Sequence, residues 1–316
     1  MLDDLVTEMK LEDLMKFTKN FDKDHIIGSG RSGTVYKATP DTDCFLAIKR
    51  FEDSEHLERQ FRAELTTLGK VMRHRNLVPL LSFCMAEEQR LLVYEYMPNR
   101  TLYDWLHPMD QGKSKALEWP KRLRIGIGLA RGLAWLHYNS DTRIIHRNLT
   151  SKSVLLDENF EPKISNFGFA MLLNWDEFQT NTSMISEAGD LDYVGLDYTQ
   201  TPVPALKRDV YSFGIVLLEL LTGKQPDQVT NAQGSFNGSL VEWIAHLSDK
   251  TSGIYSAIDK SLIGRGFDGE ILQFLGVACN CVLSPPKERP KMFEVYKTLR
   301  AVGEGYEFID NDDLLM

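Results

Sequence analysis

Eight residues constrain the fold of this chain more than any others: Gly28-Ser29-Gly30-Arg31-Ser32-Gly33-Thr34-Val35, a GxGxxGxV run. It lies in a stretch, His25 to Arg50, where β-branched and polar residues alternate and Pro40-Asp41 marks a turn, so the local reading is antiparallel strands. Such glycine spacing alone is weak, because ordinary hairpins produce it too. A dinucleotide fingerprint would open into a helix, whereas here Val35-Tyr36-Lys37-Ala38 continues as strand. Sixteen residues after Gly33 comes the lysine of Ala47-Ile48-Lys49, and fifteen after that comes Glu64, within a 3.6-period segment from Glu55 to Val71. A glycine hairpin lets backbone N–H groups approach phosphate, and a strand lysine held by a helix glutamate is a fixed cation. A lone Lys–Glu pair is usually surface decoration; the three features in this order are not.

The period then changes along the chain. Leu77 to Leu81 and Leu91 to Tyr96 read as further strands. Leu123–His137, Asp209–Leu221, Leu240–Ser248, Glu270–Cys281 and Met292–Val302 read as helices. Strands first and helices later predict an α+β chain of two lobes. The expected divisions are an N-terminal extension over 1–20 with a short amphipathic helix, a small lobe and joint over 21–97, a large lobe over 98–303, and an acidic tail over 304–316. Residues from Gly303 onward are expected to fray. Length (316 residues) allows about two folded units. The four cysteines are too few for a disulfide framework and read as reduced thiols. No run of 18 apolar residues occurs, and Glu219 interrupts the longest one. The start lacks a signal peptide's pattern, so a soluble intracellular chain is expected. A net charge of −9 argues against a nucleic-acid partner.

Further motifs carry a family resemblance. Ile144-Ile145-His146-Arg147-Asn148-Leu149-Thr150-Ser151-Lys152-Ser153 is similar to a kinase catalytic loop, and Asn166-Phe167-Gly168 stands where Asp-Phe-Gly belongs. Asp209-Val210-Tyr211-Ser212-Phe213-Gly214 and Arg289-Pro290 complete the set. The chain resembles a eukaryotic protein kinase domain of the plant leucine-rich-repeat receptor-like type over roughly residues 17 to 303, with stretches at Glu161–Ser165, Val277–Leu283 and Arg289–Glu304 similar to the BIR subgroup. The resemblance implies a bilobal protein-kinase fold with its hinge at Glu95-Tyr96-Met97 and a gatekeeper at Tyr94.

The departures from the family pattern carry the functional expectation. The residue that should accept the substrate proton is Asn148; an amide has almost no basicity near neutral pH, and a positioned base is worth about 10²–10⁴ in rate. The catalytic-loop lysine is Thr150, the metal-binding asparagine is Ser153, and the main magnesium ligand is Asn166. Mg²⁺ prefers carboxylate and phosphate oxygens. With Ala-Pro-Glu replaced by Gly195-Leu196-Asp197, a naturally degenerate site explains these changes better than a single inactivating substitution. Gly28, Gly30, Gly33, Val35, Ala47, Lys49, Glu64, Tyr94, Glu95, Met97 and Leu155 remain as a nucleotide pocket, or persist because the fold needs them. No cofactor is expected to be required, ATP binding should be weak, and Mg²⁺ should be bound poorly.

By the same resemblance Asp209 holds the catalytic-loop backbone, Arg289 pairs with Asp197, and Arg147 faces an activation segment with phosphorylatable Thr180, Thr182, Ser183 and Ser186. The expected role is a pseudokinase that binds and regulates other receptor-like kinases or co-receptor kinases at the cytoplasmic side of the plasma membrane, anchored by a transmembrane helix outside this sequence. The rivals are a weak or atypical kinase and an ATP-gated switch without phosphoryl transfer. Eleven acids fall in Ile164–Leu206 and Ala301–Met316, which contain no Lys or Arg. An acidic activation segment could stand in for a phosphate near Arg147 or repel acidic substrates. Trp105, Trp119, Trp135 and Trp243 read as core, and Trp175 as a candidate interface residue.

Overall fold

The computed structural model describes residues 6–40, 44–70, 73–86, 88–108, 116–138, 143–173, 191–193, 205–227, 229–230, 236–248 and 253–308. The small lobe is a six-stranded sheet of order β1-β5-β6-β4-β3-β2. Its strands are β1 (Thr7–Glu8), β2 (Ile26–Gly30), β3 (Gly33–Ala38), β4 (Leu46–Phe51), β5 (Leu80–Ala86) and β6 (Gln89–Glu95). Helices α1 (Leu11–Phe17) and α2 (Glu55–Lys70) also belong to it. The glycine run forms the β2–β3 hairpin, with Gly30 opposite Gly33. Gly33 has φ +113°, and a Cβ there would meet the Arg50 carbonyl oxygen at 2.2 Å, so no other residue fits the turn.

The large lobe contains α3 (Leu102–Leu106), α4 (Trp119–Tyr138), β7 (Arg143–Ile145), β8 (Val154–Leu156), β9 (Pro162–Ile164), β10 (Met171–Leu173), α5 (Ala205–Thr222), α6 (Leu240–Ser248), α7 (Asp268–Cys281) and α8 (Met292–Val302). Helix α4 is buried nearly all round, which suits the central element of a helical lobe. Its Gly128 lets Pro162 and Asn76 approach to 2.6 and 2.8 Å of where a Cβ would sit, and the segment joining α2 to β5 nestles there. Trp119, Trp135 and Trp243 are buried, Trp105 packs partly buried against the core, and Trp175 lies outside the described residues. All four cysteines are free. Among the described residues no helix is long and apolar enough to cross a membrane.

Three expectations need correction. The strand read at Leu77–Leu81 runs over Leu80–Ala86, because Pro79 has no N–H to give a ladder; Leu77 instead bridges Ile164 across to the large lobe. The N-terminal helix starts later than its apolar spacing suggested: Thr7–Glu8 is a strand beside Ser82 and Phe83, and only then does α1 bury Leu14 against Ile48, Cys84, Leu91 and Val93. Of the tail expected to fray from Gly303, residues 303–308 are docked, and 309–316 lie outside the described residues. The Tyr306 hydroxyl donates to Glu270 Oε2 (2.9 Å), Tyr306 stacks on Phe308, and the Arg124 guanidinium covers Phe308. Two aromatics in a polar tail supply the apolar area that anchors it.

Candidate functional site

Three elements converge between the lobes. Strand β4 presents Lys49, whose Nζ donates to Glu64 Oε2 of α2 at 2.7 Å. Strand β6 presents Tyr94, whose hydroxyl donates to the other oxygen, Oε1, at 2.6 Å. All three side chains are buried. Burial, then the Glu64 charge, holds the Tyr94 hydroxyl well above its ordinary range, so it stays protonated and donates to Glu64. Sequence reasoning paired Lys49 with Glu64 but placed Tyr94 only by position in the hinge strand.

The catalytic-loop segment after β7 is held from below. Asp209 of α5 accepts the backbone N–H groups of His146 and Arg147, both at 2.8 Å, and the His137 Nε2–H at 2.9 Å. Burial opposes its charge, but these donors and the neighbouring imidazoles hold its carboxyl below the ordinary range. His146 is pushed down by burial and stays neutral: Nε2–H donates to Ser165 O (2.9 Å) and Nδ1 accepts from Asn148 N–H (3.3 Å). Its ring meets Phe167 edge-on at 4.8 Å, so the Asn166-Phe167-Gly168 segment packs inward under α2. Arg147 and Asn166 both adopt left-handed backbone, φ 65° and 66°.

The hydroxyls at the positions that would face a metal and phosphates are occupied within the protein. Thr150 Oγ1 accepts from Ser153 N–H (3.2 Å), while Ser153 Oγ accepts from Thr150 N–H (2.8 Å) and donates to Thr150 O (2.9 Å), a closed capping box. Ser165 Oγ donates to Ser153 O. Asn166 Oδ1 receives only a long 3.5 Å contact from Lys49 Nζ. Among the described residues no three His, Cys, Asp or Glu side chains cluster as metal ligands. An amide, a hydroxyl spent on backbone and a carboxylate spent on lysine do not fit Mg²⁺.

Above this floor lies a cavity of about 410 Å³. It is lined by Gly28, Gly30, Gly33, Val35, Ala47, Lys49, Glu64, Tyr94, Glu95, Met97, Leu155 and Asn166, so the structure brings every expected pocket residue together. The Met97 backbone N–H has no hydrogen-bond partner among the described residues. Sequence reasoning missed Arg31, Arg100, Asp104 and Lys152, which line the same space. Thr101-x-x-Asp104 is a capping box at the start of α3, a signal that was available just beyond the hinge. It also missed Glu219, noted only as a break in an apolar run. Fully buried, Glu219 accepts from Ser151 Oγ (2.9 Å), Tyr193 OH (2.7 Å) and His107 Nε2 (3.0 Å), tying α5 to the catalytic loop. Arg289 donates to Leu283 O and Lys207 O; its expected partner Asp197, with Thr180, Thr182, Ser183 and Ser186, lies outside the described residues.

Known proteins match this arrangement. The protein tyrosine and serine/threonine kinase family matches residues 21–299. A probably inactive leucine-rich repeat receptor-like protein kinase of Arabidopsis thaliana is 52% identical over 98% of the chain and 51% of that protein. The inactive receptor-like kinase BIR2 of Arabidopsis thaliana is 42% identical over 98% of the chain and 50% of its own length. The chain thus spans about half the length of these relatives. A solved pseudokinase domain of BIR2, described as an immune regulator of the RLK/Pelle family, superposes with TM-score 0.74 at 38% identity, covering 98% of this chain and 92% of that one.

Proposed function

The chain belongs to the protein tyrosine and serine/threonine kinase family, and from that premise we propose that it is a receptor-like pseudokinase module that regulates partner kinases by binding them. The observation that carries this reading is the identity of two residues: Asn148 and Asn166 stand where phosphoryl transfer needs carboxylates as proton acceptor and metal ligand. Thr150 and Ser153 add to it, since their hydroxyls are consumed in a local capping box. What survives, the Lys49–Glu64–Tyr94 cluster and the inward-packed Phe167, keeps the kinase shape as a binding surface.

The partners of this reading are other receptor-like or co-receptor kinases, in line with the description of the BIR2 domain as an immune regulator. Its place is the cytoplasmic face of the plasma membrane, attached through a helix outside this sequence, as the receptor-type names of its relatives suggest. The cavity is assigned weak, metal-independent nucleotide binding with no cofactor required, supported by the unpartnered Met97 N–H and by the amide of Asn166 standing where the family has its magnesium carboxylate. Mixing this chain with the cytoplasmic domain of an active leucine-rich-repeat receptor kinase tests the reading. Association that persists in Lys49→Ala and in EDTA supports it. Phosphate passed from this chain to a catalytically dead partner contradicts it.

A further inference from the structure

We propose that Lys152 supplies the positive charge a bound metal would otherwise supply, so that the cavity takes a phosphate-bearing ligand without a divalent cation. The inference rests on the reading of the cavity as a metal-independent nucleotide site and names the residue that makes it possible. A cation is missing at Thr150, and one is present two residues later. Lys152 lines the cavity, and its Nζ lies 4.8 Å from the Tyr103 ring centroid with no carboxylate partner among the described residues. Lys49 is already neutralised by Glu64 at 2.7 Å. Arg31, at the β2–β3 turn, and Arg100, just past the hinge, are the other lining cations with no acidic partner among the described residues.

Rigidity sets Lys152 apart from an ordinary surface lysine. It sits on a single 3-10 turn, Ser151–Ser153, whose ends are locked by the Thr150–Ser153 capping box. Between them Ser151 Oγ is fixed to the buried Glu219 and to the Tyr193 hydroxyl (3.0 Å). A charge on a fixed turn is held ready for an anion, and an ammonium binds phosphate as a point charge without needing a fork of donors. Val35, Ala47 and Leu155 give the same cavity apolar lining, and Met97, with its unpartnered N–H, lines it too. The ligand class that suits an apolar lining with a free backbone donor and a lysine without a carboxylate partner is a flat heteroaromatic ring carrying phosphate.

The test is calorimetric titration of the full chain with ATP in EDTA, ATP with Mg²⁺, and adenosine as the uncharged control. Wild-type protein should bind ATP in EDTA, with Mg²⁺ giving no tightening. Lys152→Ala should weaken metal-free ATP by about fivefold, the scale of one solvent-exposed ion pair, and leave adenosine unchanged. Lys152→Arg should retain ATP binding. The Lys152 side chain makes no hydrogen bond among the described residues, and an unchanged melting temperature of the variant verifies its fold. Equal ATP binding by wild type and Lys152→Ala, or wild-type binding that needs Mg²⁺, overturns the assignment. If adenosine binds while Lys152 has no effect, only the assignment to Lys152 fails. If neither ligand binds, the nucleotide reading of the cavity falls with it.

Discussion

Glu64 receives Lys49 on one oxygen and Tyr94 on the other, and a buried carboxylate that loses either donor is left under-solvated. Tyr94→Phe should therefore lower stability by about 1–3 kcal/mol, read from urea unfolding; no change would mean that the hydroxyl is dispensable. The same argument applies below the catalytic loop. Tyr193→Phe removes a 2.7 Å donor from fully buried Glu219 and should cost a similar ~1–3 kcal/mol. Much at this scale was legible in the chain itself. Lys49, Glu64, Asp209 and the four degenerate positions sit in short motifs whose spacing identifies them. Tyr94–Glu64 and His107–Glu219 were not, because partners 30 and 112 residues apart leave no local signal. Lys152 was overlooked because attention to Thr150 as a lost cation hid the one two places on.

Among the elements, the long periodic helices and the glycine hairpin were readable, whereas edges depended on single residues and tertiary contacts. Pro79 moved a strand, and β1 exists only because β5 offers a free edge. Helix α1 has seven residues, too short to persist alone, so packing must hold it. Its anchor is Leu14, completely buried against the sheet face opposite α2. Leu14→Ala should cost about 2–5 kcal/mol and raise hydrogen exchange over residues 6–20. A loss of only a few tenths of a kcal/mol would indicate that the segment is not docked. The start of the tail behaves alike: an acidic composition predicted fraying, yet Tyr306 and Phe308 fix residues 303–308 to α7 and α4.

At the scale of the molecule the lobes meet at the hinge and again where Asn76 enters the large lobe. Asn76 Nδ2 donates to Glu161 (2.7 Å) and Pro162 O (3.0 Å), and Arg131 Nε donates to Asn76 Oδ1 (2.8 Å). Beside this joint the His74 ring packs at a 30° tilt on Trp135 (5.2 Å) and accepts the Asn76 N–H. Burial, with Arg131, Arg75 and Lys163 nearby, pushes its pKa down to about 4 from 6.5. Between these values the unfolded chain binds more protons than the folded one, so stability rises with pH across that window and falls on acidification through it. His74→Asn, which keeps an acceptor but cannot be protonated, should flatten the dependence of melting temperature between pH 6.5 and 4. An unchanged slope would assign the effect to other groups, His146 first, since burial lowers its pKa in the same direction. The bilobal plan was visible in the order of strands and helices, while this second joint was not, being built from residues of three separate segments.

The central claim is that this kinase-shaped chain does not transfer phosphate. It is tested most directly by incubating the protein at high concentration with γ-labelled ATP and Mg²⁺ or Mn²⁺. Incorporation into itself and into a generic Ser/Thr substrate is then compared with that of Lys49→Ala. The account predicts that the two proteins give the same background. Incorporation in the wild type that Lys49→Ala abolishes would contradict it.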